Sequence, residues 1–174
     1  MQHRPTHLAI LSVLAALWST AAMSETPATQ VRSFRLDAPL ARVFPLFTAE
    51  GERRWAPGWE PVILSGAEGR GSAFVTRGHT GIETTWIVAD YRPAEGRVSY
   101  ARLAQGSNIG LVDVSCIAAD DGGTVVSVRY TLTGVTEQGR AFVQEFLEPS
   151  HYARMIEEWR VATSAALTKQ QPSH

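Results

Sequence analysis

The chain has 174 residues, 44% of them apolar, and 16 Lys and Arg stand against 17 Asp and Glu for a net charge of −1. That is one domain's length with enough apolar side chains for an ordinary core. The basic residues, all Arg except Lys169, are scattered and form no cluster suited to nucleic acid or an anionic membrane.

In chain order, residues 1–24 have the layout of a secretory signal: Arg4 in a short polar start, an apolar stretch over residues 8–22, and the small-x-small end Ala22-Met23-Ser24. The apolar stretch falls short of the roughly 20 residues of a membrane span. The expectation is cleavage and export, to the periplasm or the medium, with no stable membrane span left afterwards. Residues 25–30 read as a polar linker, and alternation over residues 31–37 predicts a first strand. Asp37 as N-cap and Pro39 in the first turn predict a short helix over residues 40–47, which Pro45 should shorten or kink. Thr48 caps a second short helix over residues 49–54.

Beyond that point turn residues recur at short intervals. Residues 62–64, 72–79, 82–91, 97–103, 109–118 and 124–135 have the composition of strands, and Asp121-Gly122-Gly123 is the clearest hairpin signal between them. Connections so short favour antiparallel neighbours. Thr136 then caps a long amphipathic pattern in which Phe142, Val143, Phe146, Leu147, Tyr152, Met155, Ile156, Trp159, Ala162, Ala166 and Leu167 recur at helical spacing. Pro149 interrupts it, so a kink or two helices meeting near Glu148 is expected. An apolar stripe that broad needs a cover, and the sheet is the element large enough to supply it. The fold class is therefore α+β: a curved antiparallel sheet of about seven strands around a long C-terminal helix, with two short helices after the first strand. The domain covers residues 31–168, and residues 169–174 are expected to be a disordered tail.

Four segments, Arg54-Trp55-Ala56-Pro57-Gly58-Trp59, Thr85-Trp86-Ile87-Val88, Tyr130-Thr131-Leu132-Thr133-Gly134 and Glu158-Trp159, together with this element order, resemble the START-like, or Bet v 1-like, helix-grip superfamily, also called SRPBCC. The likeness runs from residue 31 to residue 167 and is strongest to small bacterial members of the polyketide cyclase/dehydrase-like or lipid-transport-like kind. It implies a cavity between sheet and helix. Members of the superfamily hold lipids, sterols, quinones, plant hormones or polyketides there, some carry out cyclisation, and others are co-chaperones, so the fold narrows function without choosing it.

Trp55 and Trp59, on a Pro-Gly turn, are the first candidates for a ligand wall: each indole can bury about 150–250 Å2 and keeps an N–H for a polar ligand group. Trp86, Tyr100, Tyr130, Tyr152 and Trp159 extend the candidate ligand-binding set, ordinary core or a structural plug being the alternative for each. Trp86 alternates with Thr84, Val88 and Asp90 against Ile87, Ala89 and Tyr91, which leaves open the face that meets the helix. On the last strand Val126, Val128, Tyr130 and Leu132 make one apolar face, so Tyr130 points inward with a hydroxyl in need of a partner. Asp90 and Asp113, if buried, would need partners such as Arg77, Arg102 or Arg129. His79 and His151 are the candidate general acids or bases, and Cys116, the single cysteine, reads as a buried, inert thiol and excludes an intramolecular disulfide. There is no Gly-x-Ser-x-Gly, His-Glu-x-x-His, Cys-x-x-Cys or Walker loop, and no histidine pair at ligand spacing, so neither a metal nor a cofactor is expected. The sequence thus favours an exported binding protein for a small hydrophobic or amphipathic molecule, lipid, quinone or polyketide-like. A cyclase or dehydratase-type enzyme in the same cavity and an envelope protein-interaction module of unknown partner are the alternatives.

Overall fold

The computed structural model describes residues 25–66, 68–78, 81 and 83–169. The expected signal at 1–24, His79, and the tail beyond Lys169 lie outside the described residues. Seven strands, β1 (Ala28–Leu36), β2 (Val62–Ser65), β3 (Ala73–Arg77), β4 (Glu83–Arg92), β5 (Arg97–Ala104), β6 (Asn108–Ala118) and β7 (Thr124–Gly134), form one sheet in the order β1-β7-β6-β5-β4-β3-β2. Every neighbouring pair is antiparallel. Short turns keep β2 to β7 beside their sequence neighbours, and β1 closes the order by pairing with β7. Between β1 and β2 lie α1 (Leu40–Val43), a 3-10 turn (Phe44–Phe47) and α2 (Ala49–Glu52), and after β7 come α3 (Glu137–Phe146) and α4 (Pro149–Lys169).

Local chemistry explains these boundaries. Pro45 has no N–H to continue an α pattern, so the chain after Val43 tightens into the 3-10 turn. Thr48 Oγ1 accepts from the Gly51 N–H at 3.1 Å and Thr136 Oγ1 from the Gly139 N–H at 3.0 Å, starting α2 and α3. Pro149 opens α4, where a missing N–H costs nothing, so the break is two helices meeting rather than a kink. Asp37 is not the expected cap: the cap position of α1 is Pro39, without a side-chain bond, and Asp37 lies against Arg35 at 3.3 Å. β1 begins inside the expected linker, because Thr29 and Gln30 find partners in Thr131 and Tyr130.

The inner face of the sheet and the helices share one core. Val126, Val128, Leu132, Leu46, Phe47 and Tyr152 are all 0% exposed. Phe142 departs from the expected helical stripe: it is exposed, its ring stacked on Phe146 at 5.5 Å. β4 settles the face left open by its alternation, since Thr84, Trp86 and Val88 are buried and Ile87 is exposed. A register shift between Val88 and Asp90 then reverses the sides. Past it, Tyr91 packs inward against Phe44, and Asp90 pairs with Arg92 at 2.9 Å instead of sharing a face with Trp86.

Candidate functional site

Between the sheet and α4 a cavity of about 170 Å3 remains. One wall comes from α2 and the turn after it, with Glu52, Trp55, Ala56 and Trp59. The sheet supplies Phe74, Trp86, Tyr100 and Tyr130 over a floor of Val112 and Val114, and Trp159 of α4 forms the roof. A side chain on Gly51 would collide with the Pro45 carbonyl, so the glycine lets α2 settle directly on the 3-10 turn, and the residue after it, Glu52, is buried.

The aromatic wall is pinned at its polar tips. Trp55 Nε1 donates to the Leu46 carbonyl at 2.7 Å, Trp59 Nε1 to the Ala49 carbonyl at 2.8 Å, Trp86 Nε1 to Thr76 Oγ1 at 2.9 Å, and the Tyr100 hydroxyl to the Phe47 carbonyl at 2.8 Å. Three of these acceptors are carbonyls of one-turn helices, which leave such groups without an intrahelical partner. The expectation of a free indole N–H therefore fails for Trp55 and Trp59, and the Trp86 N–H is taken as well. Edge contacts join the rings: Trp55 meets Trp159 at 5.0 Å and Trp59 meets Trp86 at 5.6 Å, while Phe74 stacks on Trp86 at 5.8 Å.

Glu52 is the exceptional group. It is 9% exposed, and among the described residues its carboxyl makes no hydrogen bond or ion pair. Burial alone pushes it up to about 8, so it is mostly protonated at neutral pH. Burial likewise raises the Tyr100 and Tyr130 phenols above their ordinary value, and the Tyr130 hydroxyl has no hydrogen-bond partner among the described residues. Arg102 of β5 stands with its guanidinium 5.2 Å from the Trp86 ring centre, and its buried Nε has no partner among the described residues. Burial lowers its proton affinity, against the pull of the Tyr130 phenol.

Of the sequence candidates, Trp55, Trp59, Trp86, Tyr100, Tyr130 and Trp159 meet on this cavity. Tyr152 does not line it: the ring is 0% exposed and its hydroxyl donates to the Val128 carbonyl at 3.0 Å, which makes it packed core. His151 sits in the first turn of α4, its N–H on the Glu148 carboxylate at 2.7 Å and its ring 6.3 Å from Phe146, away from the cavity. Asp113 accepts from Ser99 at 2.5 Å on the outer face, and Arg77 pairs with Glu83. Cys116 is 1% exposed, its thiol pushed up to about 12 by burial. Glu52 escaped the sequence reading as one charge of a short helix. A signal was there, because Glu52, Trp55, Ala56 and Trp59 recur at helical spacing, placing the carboxyl on the indole stripe.

A larger hollow, about 530 Å3, lies among Asp90, Arg97, Ser99, Asp113 and Arg129. Its lining is mostly polar, and its two acids are already bonded, Asp90 to Arg92 and Asp113 to Ser99. Among the described residues no three His, Cys, Asp or Glu side chains cluster as a metal would need. Nor is any helix among them long and apolar enough to cross a membrane.

The sequence profile of the family described as polyketide cyclase/dehydrase and lipid transport matches residues 27–160. Among solved structures, the aromatase/cyclase Zhui from Streptomyces sp. R1128 is 15% identical with a TM-score of 0.64, over 83% of this chain and 95% of that one. Norcoclaurine synthase from Thalictrum flavum is 11% identical with a TM-score of 0.62, over 95% and 100%. A protein from Thermobifida fusca is 14% identical with a TM-score of 0.62, over 84% and 97%. At such identities the likeness is one of fold. No curated protein matches the chain.

Proposed function

The chain belongs to the polyketide cyclase/dehydrase and lipid transport family, and on that premise we propose that it holds a small apolar or amphipathic molecule between its sheet and α4. The observation that carries the reading is the cavity of about 170 Å3 with its wall of anchored aromatic rings. An apolar cavity of roughly 150 Å3 takes up benzene, so the space suits one ring with a short substituent. A long acyl chain or fused polycycle would require the rings to move. Apolar burial at about 25 cal/mol per Å2 would supply most of the affinity. The layout of residues 1–24 supports an exported role, checked by N-terminal sequencing of protein recovered from the periplasm.

The test is a native mass of exported, detergent-free protein compared with its mass after denaturing extraction, followed by titration with toluene and indole while tryptophan fluorescence is read. A lost adduct or saturable quenching supports the reading. Neither an adduct nor a response to either probe sinks it. A reaction in the same space is the second reading, and Glu52 favours it, because a carboxyl at about 8 can exchange a proton near neutral pH. It requires turnover that Glu52→Gln abolishes while toluene still binds.

A further inference from the structure

Every tryptophan among the described residues, Trp55, Trp59, Trp86 and Trp159, lines the same cavity, and so does one buried carboxyl without a partner. Because the indole N–H groups of Trp55, Trp59 and Trp86 are bonded to protein oxygens, those rings offer a ligand carbon surface and not a donor. Indole is the ring that attracts cations most strongly, through the negative potential of its face. One indole of the box already does so, since the Arg102 guanidinium lies 5.2 Å from the ring centre of Trp86.

We propose that the cavity is a receptor for a one-ring organic cation, an arylalkylamine in its ammonium form, with the charge held by the Glu52 carboxylate and the surrounding indole rings. The proposal rests on the reading that this cavity is the ligand site. A neutral apolar guest would leave Glu52 buried and unanswered, and an anion would meet a carboxyl with no positive charge paired to it. An ammonium group supplies donors and charge together, making a charge-assisted hydrogen bond to a buried carboxylate among aromatic rings. The groups that act on Glu52 from the neighbouring strands are the phenols of Tyr100 and Tyr130, both held neutral, and the Arg102 guanidinium, over Trp86, acts on the Tyr130 phenol.

Proton linkage gives a signature. With the empty-site carboxyl at about 8, the cation must drive off a proton that is mostly present at pH 7. Binding then releases close to one proton, and affinity rises about tenfold for each unit that the pH climbs toward 8, levelling off above it.

The experiment is calorimetry of the exported protein with benzylamine, benzyl alcohol and benzoate, at pH 6, 7 and 8 and in buffers of different ionisation heat. The expected result is benzylammonium at least tenfold tighter than benzyl alcohol at pH 8, about tenfold tightening from pH 6 to pH 7, and proton release at pH 7. Glu52→Gln should bring benzylammonium down to parity with benzyl alcohol measured on the same variant, a cooperative urea transition showing that the variant is folded. Equal binding of amine and alcohol, an amine affinity independent of pH, or an amine preference that survives in the variant overturns the proposal. Tightest binding by benzoate overturns it in favour of Arg102 as anchor. If benzyl alcohol, toluene and indole also fail to bind, the cavity reading falls as well. If those neutral molecules bind and the amine gains nothing, only the cation assignment falls. The pH profile of the wild-type protein decides the matter even if the variant does not fold.

Discussion

Two parts of the interior share one sheet and one helix, yet one is filled and the other hollow. In the filled part Val126, Val128, Leu46, Phe47 and Tyr152 are all 0% exposed, and their side chains interlock as protein cores do. In the hollow part the side chains are larger, not smaller: Trp55, Trp59, Trp86 and Tyr100 surround about 170 Å3 of space. The difference lies in the polar tips. An aliphatic side chain can change rotamer to close a gap, whereas an indole bonded to a carbonyl at 2.7 or 2.8 Å cannot roll inward without leaving a buried acceptor bare. Hydrogen bonds along its wall thus hold the hollow open.

The sharpest attack on the filled part is Phe47→Ala. Its ring touches Phe34 and Trp55 at 6.3 and 5.9 Å, and no solvent reaches it. Removing a buried phenyl costs about 4 kcal/mol, read as a lower urea midpoint at constant slope. A loss below about 2 kcal/mol would mean that the surroundings collapse onto the gap and the filled part is not rigid.

In the hollow part, Glu52→Gln should act in the opposite direction. The folded state raises this carboxyl from 4.5 to about 8, so its contribution is fully present below about pH 4.5 and is lost as pH climbs toward 8. At pH 7 the handicap covers about 2.5 pH units, on the order of 3 kcal/mol. The amide carries none of it. Urea unfolding of the variant should show a gain of that order at pH 7, little or none at pH 4, and a flatter profile between. A gain equal at both pH values would show that shape and not ionisation is responsible.

Much of this contrast was legible in the residues. The strands and the closing helix announced themselves through periodicity and turn chemistry, which are local. The aromatic wall was legible in part, as two tryptophans on a Pro-Gly turn and an inward Tyr130, while the side taken by Trp86 stayed open until the strand register was seen. What escaped depended on relations between segments. One extra residue after Val88 exchanged the sides of Asp90 and Tyr91, and counting alternation cannot see an insertion. The bonds taken by the indoles depend on where one-turn helices stop, which Pro45 and Gly51 decide together. Glu52 stood on the indole stripe all along, but a charge in a short helix is ordinarily solvated.

A paired substitution separates the two parts by a smaller margin. Val128→Leu adds a methylene where nothing is free and should cost about 2 kcal/mol, while Val112→Leu on the cavity floor should change stability by less than about 1 kcal/mol, because the added carbon has space to enter. Thermal or urea unfolding of both decides it, and equal costs would deny that the two parts differ.

The smallest effect on stability tests the anchoring argument most directly. Tyr100→Phe removes one hydroxyl and leaves the buried Phe47 carbonyl without its partner, a change of about 1 kcal/mol. It also removes the tether on a ring that touches both Phe74 and Trp86, at 6.0 and 6.3 Å. If tethers hold the space open, the freed ring shifts into it, and affinity for toluene falls by more than the loss of stability would suggest. Were toluene to bind the variant as it binds the wild-type protein, the hydroxyl would be an ordinary buried hydrogen bond. The hollow would then have to be explained by the shape of the sheet alone.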